Sequence, residues 1–380
     1  MTKIFRTATI PLSLNILLKG QLKYLSKEFN ITAISGEGSE LDEILKREGV
    51  KIEAVKMRRE ISLFQDLYSL ANLYILFRRE KPSVVHSITP KSGLLSMVAA
   101  KLARVPVRIH TFTGLIFPSK SGFMKQLLIV MDKVLCRCAT NIYPEGNGVR
   151  KDLIKYMITN KPLKVIANGN VNGVDLDYFD PNQITLSQRN HLRRELDIKL
   201  EDFVFIFIGR LVKDKGIDEL VSAFKNLPSE NVKLLLVGPF ESQLDPLRKE
   251  TLKEIKQNPK IIAVGFQEDV RPYFGIANAL SFPSYREGFP NVVVQAGAMD
   301  LPSIVTDISG CNEIIENGVN GIIIPSKNIS KLQSAMEKLV ENKVEYKKLR
   351  DNSRPMIASR YEQIKVWDAL VAEYKLLLNT

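Results

Sequence analysis

Six consecutive apolar residues, Phe203-Val204-Phe205-Ile206-Phe207-Ile208, run straight into Gly209-Arg210. No polar side chain interrupts them, so this strand has no solvent face and must be covered above and below, as strands are in a parallel sheet between layers of helices. Parallel neighbours require long crossover connections, and the chain supplies them. Residues 232–237, ending in Gly238, and residues 261–264, ending in Gly265-Phe266, read as two further strands. A helical pattern fills residues 217–224, and Asp245-Pro246 predicts another helix with proline at its first position. The first half keeps the same rhythm: residues 30–35, 83–87 and 107–111 read as strands, and 61–77 as a helix with Leu63, Leu67, Leu70, Tyr74 and Phe77 on its apolar face. Strands alternating with helices predict an α/β fold built on parallel sheets.

A chain of 380 residues exceeds what one core usually serves, so two domains are expected. Their order reads as a first α/β domain over residues 1–176, a polar linker over 177–196, a second α/β domain over 197–359 and a terminal helix over 360–380. Neither a short-period repeat nor a low-complexity tract interrupts this organisation.

Two loops of the second domain carry the chemistry. Where a buried strand gives way to a helix at the sheet's carboxyl edge, free backbone N–H groups and a positive helix end face an incoming ligand. After Gly209 the loop offers Arg210, a planar donor fork, and Lys215, a mobile point charge; such a pair can hold a diphosphate from two sides. The other loop is Ser284-Tyr285-Arg286-Glu287-Gly288-Phe289-Pro290-Asn291, after which Val292, Val293 and Val294 turn inward on a helix. Glu287 repels an anion, so it is suited to accepting hydrogen bonds from hydroxyls. Taken singly, each has an ordinary reading: loop arginines and lysines are solvated, and Glu287 is a helix cap. Together in one domain they describe a site for a ligand with both phosphates and hydroxyls, such as a nucleotide sugar.

These two segments resemble glycosyltransferase family 4, retaining enzymes of GT-B fold, in which two Rossmann-like domains face each other across a cleft. Gly209-Arg210 and Lys215 match the family's diphosphate-binding element. Glu287 matches the first acidic residue of its glutamate-rich signature, expected near the donor sugar. Eight positions on, where the family has a second acid on the ribose, this chain carries Gln295. The resemblance makes Glu287, Arg210 and Lys215 the catalytic set. It adds Gly209, Gly288, Phe289, Pro290, Asn291 and Gln295 as donor-binding positions, with Gly265 and Phe266 contacting the base through their backbone. Pro90-Lys91-Ser92-Gly93 and Thr113-Gly114-Leu115 resemble loops of bacterial polysaccharide members, which places Lys91, Thr113 and Gly114 on the acceptor side. Many relatives carry histidine where Thr113 stands. The glycine-rich loop common after the first strand is absent here, since residues 7–14 contain no glycine.

Charge is unevenly spread. Residues 1–175 hold 27 Lys and Arg against 14 Asp and Glu, a net +13, so the whole excess behind the chain's +12 lies in the first domain. A basic acceptor domain suits an anionic membrane surface and a diphosphate-linked lipid. Candidate docking elements are Lys56-Met57-Arg58-Arg59 and residues 116–125, which interleave Phe117, Phe123 and Met124 with lysines. A solvated basic face is the plain alternative. Nucleic acid is not expected, because the positive charge is scattered and no nucleic-acid motif appears. Three cysteines, Cys136, Cys138 and Cys311, form neither a disulfide framework nor a zinc pattern, consistent with a reducing cytoplasm. With no signal peptide and no apolar run of about 18 residues, membrane association is expected to be peripheral, on the inner face. Asp175-Leu176-Asp177 imitates an Asp-x-Asp metal motif but sits in the expected linker, so no metal and no cofactor are expected.

The resemblance implies sugar transfer from a nucleotide sugar, UDP-linked, to a lipid-diphosphate-linked saccharide during surface-polysaccharide assembly. With Glu287 as the one candidate carboxylate, the acceptor hydroxyl would attack from the leaving group's own face and the phosphate would take its proton. Two alternatives stand at this level: an epimerase of the same fold, or a basic binding protein with a degenerate donor site.

Overall fold

In the computed structural model, which describes residues 1–57, 60, 62–241, 243 and 245–379, the chain builds two six-stranded sheets in which every pairing is parallel. The first contains β1 Lys3–Thr7, β2 Asn30–Ser35, β3 Lys51–Ala54, β4 Val84–Ser87, β5 Val107–Phe112 and β6 Asn141–Pro144, in the order β3-β2-β1-β4-β5-β6. The second contains β7 Phe203–Ile208, β8 Val232–Val237, β9 Ile261–Gly265, β10 Ala279–Phe282, β11 Ser303–Thr306 and β12 Gly321–Ile324, in the order β12-β11-β10-β7-β8-β9. Each sheet grows outward from its first strand on one side and then restarts on the other. The order therefore reverses between β1 and β4, and between β7 and β10. At such a switch point the loops leaving the two central strands diverge, and α/β proteins bind ligands there.

The apolar run that marks the sequence is β7, central in its sheet, with Val204, Phe205, Ile206 and Phe207 fully buried. Residues 1–173 and 363–380 form one compact unit and 174–362 the other. The polar stretch read as a linker is a correction. Residues 177–196 contain the helix Leu186–Glu195, opened by a capping box between Thr185 and Gln188, and this helix packs on the helix Arg271–Ile276 within the second unit. Its polarity reflects a helix lying on the outside, with no buried residue of its own. Asp175 Oδ1 accepts the N–H groups of Asp177 and Tyr178 at 3.1 and 2.9 Å, so the Asp-x-Asp sequence is a turn cap. The helix Gln363–Leu378 packs in the first unit, against the helix Gln21–Leu25; Trp367 Nε1 donates to Asn172 Oδ1 and Tyr143 to Glu373.

Two local readings change. The helix read over 61–77 spans Leu63–Glu80, and it buries Ser69, Leu73, Leu76 and Phe77 while Leu63, Leu67 and Tyr74 are exposed. Both sides of this helix are apolar, so periodicity could not choose between them; packing against the helix Pro90–Leu102 and the Phe5 ring selected the other face. Asp245-Pro246 does not open a helix. The next helix is Lys249–Gln257, and the Asp245 carboxylate instead accepts the Asp214 N–H at 2.6 Å.

Candidate active site

The loops at the second switch point follow β7 and β10. Three adjacent strands, β7, β8 and β9, end at Gly209, Gly238 and Gly265, all with positive φ. Gly238 has a steric reason: a Cβ there would run into the Gly209 carbonyl. The Gly209 N–H donates to Val237 at 2.9 Å and the Gly238 N–H to Gly265 at 2.7 Å, leaving an edge of tightly stacked backbone with no side chains to shield it.

After Gly209 the chain makes a single turn, Lys213–Lys215, closed by Gly216 in the left-handed region against the Pro283 carbonyl. The β10 loop is stitched to this turn. Tyr285 N–H donates to the Asp214 carbonyl at 2.9 Å, Arg286 Nε to the Asp214 carboxylate at 2.8 Å, and Tyr285 OH to Glu219 at 2.6 Å. Burial and the Glu219 contact push the Tyr285 phenol well up, so it stays a protonated donor. The outcome is convergence at one point: Lys215 Nζ pairs with Glu287 Oε1, and Ser284 Oγ donates to the same oxygen at 2.8 Å. Both charged side chains are largely buried, which makes this pair stronger than a surface contact.

Arg210 stands apart from that cluster. Its Nη1 lies 2.5 Å from Glu241 Oε2 and its guanidinium is half exposed, a weak pairing that an incoming anion can replace. Gly288 continues the Glu287 loop. Phe289 is buried with its ring 5.4 Å from Tyr361, so it anchors the loop from below, and its side chain is not a ligand group. Pro290 precedes the helix Asn291–Ala298, on which Asn291, Val292 and Gln295 are half-buried. Phe266 is exposed beside Gly265. Under the loop, Gly310 also has positive φ; a methyl group there would run into the Gly288 carbonyl and sit 2.8 Å from Pro290 Cδ and 2.9 Å from Phe289 Cα. Cys311 is buried next to Glu287 and Lys215, and burial followed by the Glu287 charge pushes its thiol up, so it is inert.

The acceptor-side positions occupy the first unit. Lys91 opens the helix Pro90–Leu102, pairing with Asp66 at 2.6 Å and donating to the Glu60 carbonyl. Thr113 Oγ1 donates to the Ile88 carbonyl at 3.2 Å, and Gly114 follows with positive φ. The loops leaving β1 and β4 are tied directly, since Thr89 Oγ1 meets the Thr9 N–H at 2.9 Å and the Thr9 hydroxyl at 2.8 Å. Below them Arg6 is buried, donating to Tyr374 OH at 2.8 Å and Gln21 Oε1 at 3.0 Å and contacting His86 Nδ1. A guanidinium can only donate, so Nδ1 accepts, and neutral His86 presents its Nε2–H to Thr111 Oγ1 at 2.7 Å. Burial first, then Arg6, holds the His86 imidazole neutral. A cavity of about 30 Å³ with Glu145 in its wall borders this network. His110 is also buried, meeting Ser87 Oγ at 2.8 Å, and burial lowers it to about 3.

Of the docking elements expected from sequence, Met57 and Phe117 are core residues, Phe123 is 80% exposed, and Arg58 and Arg59 lie outside the described residues. Sequence reasoning missed Ser284, Asp214, Glu219, Glu241 and Gly310 at the donor-side loops. Ser284 precedes Glu287 by three positions in a loop, where no periodicity reveals that the two side chains converge. Among the described residues no group of three or more His, Cys, Asp or Glu side chains is arranged to hold a metal ion.

Comparison with known proteins identifies what carries this arrangement. Residues 188–356 match the family model for glycosyl transferases group 1, and residues 11–145 the model for glycosyl transferase 4-like proteins. The chain is 30% identical over 381 residues to the Staphylococcus aureus capsular polysaccharide biosynthesis glycosyltransferase CapM, covering 99% of this chain and 98% of that one. It is 28% identical over 324 residues to an Escherichia coli UDP-Gal:alpha-D-GlcNAc-diphosphoundecaprenol alpha-1,3-galactosyltransferase, covering 84% of this chain and 82% of the relative. Among solved structures, Anabaena HepE in complex with UDP superposes with a TM-score of 0.84 at 18% identity, covering 99% of this chain and all of HepE, a likeness of fold.

Proposed function

The chain belongs to the family of group 1, family-4-like glycosyltransferases, and we propose that it moves a sugar, with retention of anomeric configuration, from a UDP-sugar to a lipid-diphosphate-linked saccharide in surface-polysaccharide assembly. That it is a glycosyltransferase of GT-B fold follows from its relatives and its two Rossmann-like units. The carrying observation for the mechanism is the Ser284–Glu287–Lys215 cluster at the switch point, with Arg210 on the same loop as Lys215.

In this reading the diphosphate lies along the glycine-ended strands β7, β8 and β9. Lys215 and Arg210 neutralise it, and the half-exposed Arg210 exchanges Glu241 for phosphate oxygens. Glu287, paired with Lys215 and aimed by Ser284, accepts hydrogen bonds from donor-sugar hydroxyls. The bond between the anomeric carbon and phosphate oxygen breaks with its electron pair on the diphosphate, whose added charge the two cations stabilise. The acceptor oxygen bonds to the same face of that carbon, and its proton passes to the departing phosphate. Charge stabilisation by side chains makes the reaction independent of a divalent metal. The acceptor assignment is supported by the E. coli relative, whose name specifies a diphosphoundecaprenol-linked sugar, and by the basic first unit.

The test is a panel of nucleotide sugars offered with a diphosphate-lipid-linked saccharide, reading UDP release and product anomeric configuration, with and without EDTA. Release that requires the acceptor, survives chelation and yields the donor's own anomeric configuration is expected. UDP release or donor conversion at equal rate without acceptor would overturn the transfer assignment.

A further inference from the structure

We propose that the outward face of the helix Leu63–Glu80, with the first turn of the helix Gly122–Cys138, is the surface by which this protein docks on an anionic lipid bilayer. The proposal rests on the lipid-linked acceptor reading above and assigns it a place on the molecule.

Phe64 is 90% exposed, and Leu63, Leu67, Tyr68, Tyr74 and Ile75 are exposed beside it. At about 100° per residue these positions fall on one arc, opposite the buried Ser69, Leu73 and Phe77, so the helix is apolar on both sides and, among the described residues, only one side is packed. A single exposed leucine needs no explanation, but a stripe running from Leu63 to Ile75 does. The second element is Phe123 with Met124, exposed at the start of the helix Gly122–Cys138.

Topology puts the two elements at the same edge. Helices in right-handed parallel crossovers run against the strands, so each begins at the sheet's carboxyl edge. The helix Pro90–Leu102 packs against both, and Lys91 on its first turn holds Asp66 on the first turn of the exposed helix. Lys91, Thr113 and Gly114 therefore share this edge with the start of the apolar stripe, Leu63 to Tyr68. Its electrostatics select the occupant: Arg78 and Arg79 are exposed at the far end of the same helix, Lys120 and Lys125 flank Phe123 and Met124, and from residue 81 to residue 131 the sequence carries no Asp or Glu. Apolar side chains flanked by cations fit the boundary between anionic head groups and acyl chains. A second copy of the same face would bring two such cationic segments together. No helix among the described residues is long and apolar enough to cross a membrane, so the contact is a surface one.

The test uses the full chain. Wild type, the Phe64→Ser/Leu67→Ser double variant and a control, Leu200→Ser, at an exposed leucine of the second unit, are floated with phosphatidylcholine vesicles with or without phosphatidylglycerol. Wild type and the control should float with anionic vesicles only, and the double variant should lose about tenfold or more of that partitioning. Transfer to a vesicle-embedded acceptor should fall in step, while transfer to a short-chain, water-soluble acceptor stays at the wild-type rate. Phe64→Trp supplies a local probe in a chain whose single tryptophan, Trp367, is buried, and its emission should shift to the blue on anionic vesicles. Equal flotation of the double variant, an unshifted Phe64→Trp, or a wild-type dimer that the double variant dissolves would each overturn the proposal. Wild-type transfer to the soluble acceptor without vesicle binding would overturn docking and leave the function standing; vesicle binding without transfer to either acceptor would do the reverse.

Discussion

Gly310→Ala separates the geometry of the donor-side loop from its chemistry, because it adds one methyl group and no charge. Gly310 has φ of +77°, and the added carbon would run into the Gly288 carbonyl and lie 2.8 Å from Pro290 Cδ and 2.9 Å from Phe289 Cα. Ordinary carbon contacts begin near 3.5 Å, so the loop bearing Glu287 and Gly288 must retreat by roughly 0.5–1 Å. Two costs follow: about 1–3 kcal/mol for alanine at positive φ with negative ψ and about 1–3 kcal/mol for the forced contact. Gly318→Ala provides the control, since Gly318 shares φ of +77° and has open space around it. The control carries a positive-φ cost without the contact, so Gly310→Ala should melt several degrees lower, at about 2–4 °C per kcal/mol for a unit of this size. Activity should divide more sharply. Misplacement by 1 Å costs about a hundredfold in turnover, so roughly a tenfold loss of kcat/KM is expected for Gly310→Ala and none for Gly318→Ala. Thermal unfolding and acceptor-dependent UDP release measure the two effects. If the variants match in both, the Gly310 contact does not position the loop and the reasoning fails.

The remaining expectations concern charge. Lys215→Ala removes a cation and leaves Glu287 part-buried without its partner, so turnover should fall by about 10- to 150-fold, worth roughly 1.5–3 kcal/mol, with the fold retained by circular dichroism. Arg210→Ala should also cut turnover, and a wild-type rate in both variants would remove the donor site from these loops. Gln295→Glu should keep or tighten UDP binding by calorimetry, whereas Glu287→Ala should abolish transfer; loss of UDP binding in Gln295→Glu would show that the amide has its own role. Buried His110 titrates at about 3 when folded against about 6.5 unfolded, so between those values the unfolded chain binds a proton that the folded one refuses. Its stability contribution is complete above pH 6.5 and lost on acidification, about 2 kcal/mol between pH 6.5 and 5. Urea unfolding at the two pH values should show a smaller drop for His110→Gln than for wild type.

Sequence alone determined the elements and their class. A strand such as Phe203–Ile208 with no polar position can only be central in a covered sheet, and glycines at the ends of β7, β8 and β9 marked the edge where backbone is open. Arg210, Lys215 and Glu287 were legible because strand, glycine and charge occur in a fixed local order. What sequence could not carry was any relation across distance. Lys215 and Glu287 are 72 residues apart, and their contact exists because the switch point places the loops after β7 and β10 side by side. Asp245, read as a helix start, serves Asp214 instead, and residues 177–196, polar enough for a linker, fold onto the second unit. The helix Leu63–Glu80 shows the same limit in apolar form. Its pattern permits either face to be buried, and only packing against the helix Pro90–Leu102 decided which one is left to the outside.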